Sequence, residues 1–203
     1  IEPYLQGKRP ITALRTLQIE NGGPADAAVE VTLADGRRDV IVQCVSDHAM
    51  VQVEGGIRFQ GRLLVVRFGP AGAPSGVLAV RPSYVGLGRA FERRYTPCAK
   101  GKVTHFDRGA PDACTIALDT ELIVPADALR PLWTDITPSP NANGNYRIEG
   151  TTVQDGKTVL NVGDVSLVSG FDTERQEFTY AFEEGATVEI PFSYLSELTP
   201  AKP

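Results

Sequence analysis

The feature that most constrains this chain is alternation. Short runs of apolar and polar residues alternate with period two, and Gly, Asp and Pro bound nearly every run. That is the signature of half-buried strands. Runs with apolar residues at i, i+3, i+4 and i+7 are nearly absent. The pattern predicts strands over 11–19, 27–34, 37–45, 49–54, 57–60, 62–68, 76–81, 102–106, 114–119, 145–153, 157–162, 165–169, 177–182 and 186–192. One short helical turn is expected in "PADALRPLW", where Pro125 suits a first helical position and Pro131 would stop it. With 42% hydrophobic and 22% charged residues the chain can build a core and is not a disordered segment. Its longest apolar runs, such as "LLVV" at Leu63–Val66, fall far short of the ~20 residues of a membrane helix.

Two hairpins can be assigned a register. In "AAVEVTLADGRRDVIVQC" a two-residue Asp35-Gly36 loop would pair Val31 with Val40, Val29 with Val42 and Thr32 with Asp39. In "NYRIEGTTVQDGKTVLNV" a three-residue loop, Gln154-Asp155-Gly156, would set Ile148 opposite Val162 and Gly150 opposite Leu160. Arg147, Glu149 and Thr151 then share the other face. One clean apolar side favours that register, because a slip of one residue turns every side chain over.

Many short strands with frequent turns predict an all-β, antiparallel β-sandwich of two stacked sheets. The expected organisation is a single unit over 1–203, with a possible subdivision near 109. "GPAGAPSG" and "TPSPNANGN" are loops too short to be interdomain linkers. The chain opens "IEPYLQGKRP" without Met or a signal peptide, which suggests a mature, processed or excised piece of a longer protein. Cys44, Cys98 and Cys114 are too few, and odd in number, for a disulfide framework. Cys98 and Cys114 are either bridged across two strands or, with Cys44, buried as thiols.

Charge is unevenly spread. Residues 1–108 carry fifteen Lys/Arg against ten Asp/Glu, and residues 109–203 carry five against fifteen. The densest basic segment is "GRAFERRYTPCAKGK", where Arg89, Arg93, Arg94, Lys100 and Lys102 are interleaved with Phe91 and Tyr95. Guanidinium groups bind carboxylates and sulfates bidentately, and aromatic faces pack on sugar rings. Arg89, Phe91, Arg94, Tyr95, Lys100 and Lys102 are therefore the candidate residues for an acidic polysaccharide. A nucleic-acid backbone also fits that composition, but neither a nucleic-acid nor a membrane partner is expected of this acidic chain. The plainer reading is a solvated or internally paired surface.

Reaction chemistry is sparse. His48 follows Asp47, and His105 stands two residues before Asp107, on the same side of a strand. There is no G-x-S-x-G elbow, P-loop, dinucleotide glycine pattern, EF-hand or zinc-site spacing. No metal and no cofactor is expected, and the spacing of the carboxylates supports no glycosidase pair.

Three stretches together resemble the C-terminal β-sheet region of bacterial heparinase II/III-like polysaccharide lyases: "AVEVTLADGRRDVIVQ", "VEGGIRFQGRLLVVRF" and "YRIEGTTVQDGKTVLNVGDVSLVSGF…YAFEEGATVEIPFSY". The resemblance spans Ala27 to Tyr194. It implies a β-domain that packs on a helical toroid carrying the principal catalytic residues for β-elimination on uronic-acid glycans. That domain can lend a histidine to the cleft, here His105 or, second, His48. No toroid is present in this chain. The resemblance therefore implies a secreted or periplasmic, non-catalytic β-domain that supports a helical catalytic domain and contacts an acidic glycan. A stand-alone carbohydrate-binding module and a purely structural β-domain of a surface protein are the alternatives.

Overall fold

The computed structural model describes residues 10–107, 114–137 and 144–198. Among them the chain is all-β, with no helix and only antiparallel pairings. The strands are β1 (Ile11–Thr16), β2 (Ile19–Glu20), β3 (Ala27–Leu33), β4 (Arg38–Gln43), β5 (Val51–Val53), β6 (Ile57–Gln60), β7 (Leu63–Phe68), β8 (Pro74–Val80), β9 (Tyr84–Leu87) and β10 (Glu92–Arg94). They continue with β11 (Cys98–Asp107), β12 (Thr115–Leu118), β13 (Leu132–Trp133), β14 (Asp135–Thr137), β15 (Arg147–Ile148), β16 (Gly150–Gln154), β17 (Lys157–Asn161), β18 (Val168–Asp172), β19 (Glu177–Tyr180), β20 (Thr187–Pro191) and β21 (Ser193–Glu197).

The chain divides into two compact units. The first is Ile1–Pro97 with Phe192–Pro203, and the second, inserted in its sequence, is Cys98–Pro191. The charge break near 109 falls inside the second unit, between β11 and β12. Charge still follows structure: the first unit has thirteen Lys/Arg against ten Asp/Glu, the second seven against fifteen.

The first unit has two sheets, ordered β1-β3-β4-β7-β8-β21 and β10-β9-β6-β5-β2. One apolar cluster draws on both. Ala28, Val40, Val42, Leu64, Val66, Val77 and Ala79 come from the six-stranded sheet, and Val51, Val53, Ile57, Phe59, Val85 and Leu87 from the five-stranded one. Alternation selects them: Val40 and Val42 are buried while Ile41 and Gln43 between and beyond them are exposed. At the β1–β3 side the inner face turns polar. Arg15 lies 2.6 Å from Glu54 and 3.5 Å from Glu30, which also pairs with Arg38 at 2.6 Å. The Arg15 hydrogen bond holds the Glu54 carboxyl below its usual range. A carboxyl depressed in the folded state stabilises above its unfolded pKa of about 4.3, and that contribution disappears as pH falls through the lower folded value. The melting temperature of Glu54→Gln is therefore expected to fall less than the parent's between about pH 6 and about pH 3. Equal losses in thermal melts would remove Glu54 from the acid limb.

The second unit has a six-stranded sheet, β14-β20-β11-β12-β17-β16, and two ribbons, β13-β15 and β18-β19. Ile116, Leu118, Leu160, Val188 and Ile190 are fully buried. Its buried hydroxyls are satisfied: Thr134 donates to the Gly144 carbonyl at 3.1 Å and accepts from the Tyr146 N–H at 3.0 Å.

Three local expectations are corrected. No helix forms in "PADALRPLW": a single bond from the Ala128 N–H to the Pro125 carbonyl closes one turn. Pro131 has no N–H to extend it, and it disfavours helical geometry at Arg130. In the first hairpin Val31 lies opposite Asp39 and Ala28 opposite Val42, one residue from the expected register. Its loop has three residues, Ala34-Asp35-Gly36, with the Leu33 N–H bonded to the Arg37 carbonyl and Gly36 at φ 81°. The Asp35 carboxylate, which accepts from the Arg37 N–H, supports this wider loop. In the second hairpin the loop has two residues instead of three. Gln154 pairs with Lys157, and Asp155 and Gly156 both have positive φ, 51° and 72°, as a type I′ turn requires. Of the two states left open for Cys98 and Cys114, the structure has the free thiols, with Cys44 and Cys114 buried and Cys98 half-buried. Cys98 donates to Glu189 at 2.9 Å and Cys114 to the Val165 carbonyl at 3.1 Å. Burial pushes the Cys44 thiol up to about 11.

Gly36 is one position where conformation demands glycine. Space is ordinary there, with Pro70 Cβ 3.5 Å from a built Cβ, so the cost of a side chain is the left-handed backbone itself. Gly36→Val is expected to lose about 1 kcal/mol or more, measured by denaturant unfolding. An unchanged midpoint would reject the loop.

Candidate functional site

The basic–aromatic segment 89–102 is divided between the two units. Arg89, Phe91, Arg93, Arg94 and Tyr95 belong to the first unit, and Lys100 and Lys102 to the second. In the first unit, parity divides the segment again. The Leu87 N–H bonds to the Phe91 carbonyl, Arg93 pairs with Val85, and the Tyr95 N–H bonds to the Ser83 carbonyl. Residues 91, 93 and 95 thus share the side of Val85, where Arg93 stays exposed with its guanidinium 4.8 Å over the Tyr95 ring. Phe91 and Tyr95 pack against the apolar cluster, and the Tyr95 ring also meets Tyr194 at 4.6 Å between centroids. Both rings are partly buried, with one side against the core cluster. Arg89 is exposed in the turn from β9 to β10. Lys100 lies 3.1 Å from its cross-strand partner Glu189. Lys102 is exposed, and its N–H bonds to Asp119.

Glu92 and Arg94 point the other way, onto the outer face of the five-stranded sheet. There they meet two residues that the sequence reading did not single out. Tyr84 on β9 lies beside Arg94 on β10 and Gln60 on β6, and Gly86 lies between Glu92 and Arg58. The Tyr84 ring lies over Gly86: a Cβ there would come within 2.7 Å of the Tyr84 hydroxyl. Glycine leaves room for the ring to lie down on the sheet. Two guanidiniums then cover it, Arg58 at 5.3 Å and Arg94 at 5.7 Å from the centroid. The ring is only 4% exposed as a result. Its hydroxyl donates to Glu92 at 2.8 Å, and Arg58 is 3.9 Å from the same carboxylate. Burial, then this hydrogen bond, push the Tyr84 hydroxyl above its ordinary range.

No family model, no curated protein and no solved structure matches the chain.

The Arg58–Tyr84–Arg94 stack can bind an anion. Each guanidinium keeps donors free at its solvent side, each is held in place by the ring, and one carboxylate offsets two positive charges. Arg58 has a half-exposed side chain. Chain alternation carried one usable signal for this face: "PSYVGLG" is a short apolar run bounded by Pro82 and Gly88, which is how a buried strand without alternation looks.

His105 sits on β11 with its side chain 69% exposed. The carboxylate near its ring is Glu184, at 3.4 Å from Nδ1. His48 is 91% exposed beside Asp47, whose carboxylate also meets Arg81. Neither ring reaches a nucleophile among the described contacts. Among the described residues no group of three or more His, Cys, Asp or Glu is arranged to hold a metal, and no helix is long and apolar enough to cross a membrane.

Proposed function

We propose that this chain is a non-catalytic β-module of a secreted or periplasmic polysaccharide-processing protein, of the heparinase II/III-like kind, and that it holds an acidic glycan on the outer face of the five-stranded sheet. In this reading the two sheets of the first unit stack as a β-sandwich, and a helical catalytic domain in the parent protein performs the cleavage. The observation that supports it is the pair of guanidiniums fixed on the one Tyr84 ring. Two pre-oriented forks on a flat face suit the carboxylates of successive uronic-acid residues, which bind Arg through paired N–H···O contacts. Pre-organisation matters because ordering a free Arg side chain would cost about 0.5–1.5 kcal/mol on binding.

Titration calorimetry of the chain against a uronic-acid polymer and a neutral glucan tests the reading. Heat with the first and none with the second supports it. No binding to either leaves the purely structural β-domain as the better account.

A further inference from the structure

We infer that the outer face of the five-stranded sheet takes unsulfated uronate polymers in preference to densely sulfated ones, and that Glu92 sets this preference. The inference rests on the glycan reading above and narrows its ligand class. Direct pairing lays one row across the whole sheet: Glu92 on β10, Gly86 on β9, Arg58 on β6, Gln52 on β5 and Glu20 on β2. A second row holds Arg94, Tyr84 and Gln60. Alternation turns both rows away from the core residues Val51, Val53, Ile57, Phe59 and Val85. With strands ~4.8 Å apart, the long row measures roughly 19 Å, room for several sugar rings.

Charge on these two rows is balanced. They hold two guanidiniums, Arg58 and Arg94, and two carboxylates, Glu20 and Glu92. A densely charged polyanion gains most from a surface of one opposite sign, and this face is not one. Glu92 stands closest to the stack. It accepts the Tyr84 hydroxyl at 2.8 Å and lies 3.9 Å from Arg58, so an anion on the Arg58 fork also feels Glu92. That repulsion discriminates between ligands. A uronate carries hydroxyls beside its carboxylate, and they can offset it. An ionised carboxylate has about four acceptor sites, of which the Tyr84 O–H takes one, and the Glu92 side chain is 61% exposed. Glu92 can therefore accept a sugar hydroxyl while Arg58 holds the neighbouring carboxylate. Gln52 and Gln60 offer amides to further hydroxyls. Replacing hydroxyls by sulfate esters removes these donors and sets more negative charge against Glu92 and Glu20.

Calorimetric titration with polygalacturonate and with dextran sulfate, at about 0.15 M salt where the Debye length is about 8 Å, tests it. The parent is expected to bind polygalacturonate the more tightly. Glu92→Gln keeps an acceptor for the Tyr84 hydroxyl in its amide oxygen. It is expected to bind dextran sulfate about 3- to 10-fold more tightly than the parent does, with its polygalacturonate affinity unchanged or lower. Glu177→Gln removes the same charge from an exposed position of the second unit and should match the parent on both polymers. A side chain with only a structural role would move both affinities together. A parent that prefers dextran sulfate overturns the inference. So does an unchanged ratio of affinities in Glu92→Gln, which leaves the glycan reading standing if polygalacturonate still binds. A parent that binds neither polymer overturns that reading and this inference with it.

Discussion

Replacing Arg58 and Arg94 together with Ser is expected to weaken binding of a uronic-acid polymer by about 100-fold or more. Each charge-assisted hydrogen bond is worth about 1.5–3 kcal/mol, and about 1.4 kcal/mol is a factor of ten. Losing one such bond from each guanidinium therefore reaches two decades. Both side chains are on the solvent face of the sheet, so the fold should survive. The Tyr84 ring keeps its bond to Glu92 but becomes uncovered. Added salt should weaken the parent's binding and barely change the variant's, because exposed ionic contacts are screened. Lys102→Ser, in the other unit, should bind as the parent does. Calorimetry at two salt concentrations reads all three proteins. Full affinity in the double variant would move the site away from this face.

Phe59→Ala is expected to destabilise the protein by about 3–5 kcal/mol, the largest single-site loss anticipated here. Phe59 is fully buried, and its strand neighbours opposite are Val51 and Val85. The surroundings cannot close over the void. A Cβ on Gly61 would lie 2.6 Å from the Phe59 ring and 2.9 Å from the Pro82 backbone, so the ring fills a space walled partly by main chain. A loss of that size is a large share of the ~5–15 kcal/mol that holds a domain together. Val153→Ala removes a larger share of exposed surface, since Val153 is 54% exposed, and should stay within about 0.5 kcal/mol of the parent. Urea unfolding compares the two. A loss below about 1 kcal/mol for Phe59→Ala would contradict the packing of the two sheets around this ring.

The hairpins show where local pattern stops being sufficient. Both Asp-Gly pairs do mark turns, but the loop lengths are exchanged relative to expectation. For the second hairpin the reason is visible. Matching apolar sides across this hairpin presumes that Ile148 belongs to the strand that pairs with β17. In the fold Ile148 leaves it, pairs with Leu132 in the β13–β15 ribbon, and is buried there. Its apolar side therefore says nothing about the hairpin. For the first hairpin, aliphatic residues occupy both sides of β3 and β4, so apolar matching cannot distinguish two registers one residue apart.

The candidate binding face has the same origin. Arg94 is legible in the sequence because it lies in a basic run. Arg58 and Tyr84 are not, because they stand 36 and 10 residues before it and come together only when β6, β9 and β10 pair. Conversely, Phe91 and Tyr95 look fully available in the sequence, and odd parity sets one side of each ring against the core cluster. What the sequence determined by itself is local: which stretches alternate, where Asp-Gly and Pro break them, and hence the all-β character. What only the tertiary structure decided is non-local. It set which strands are neighbours, in which register, and which of two apolar faces is covered. The physical reason is that period-two alternation specifies two faces for each strand but not the strand across from it. That choice is made by the fit of whole sheets over a shared core.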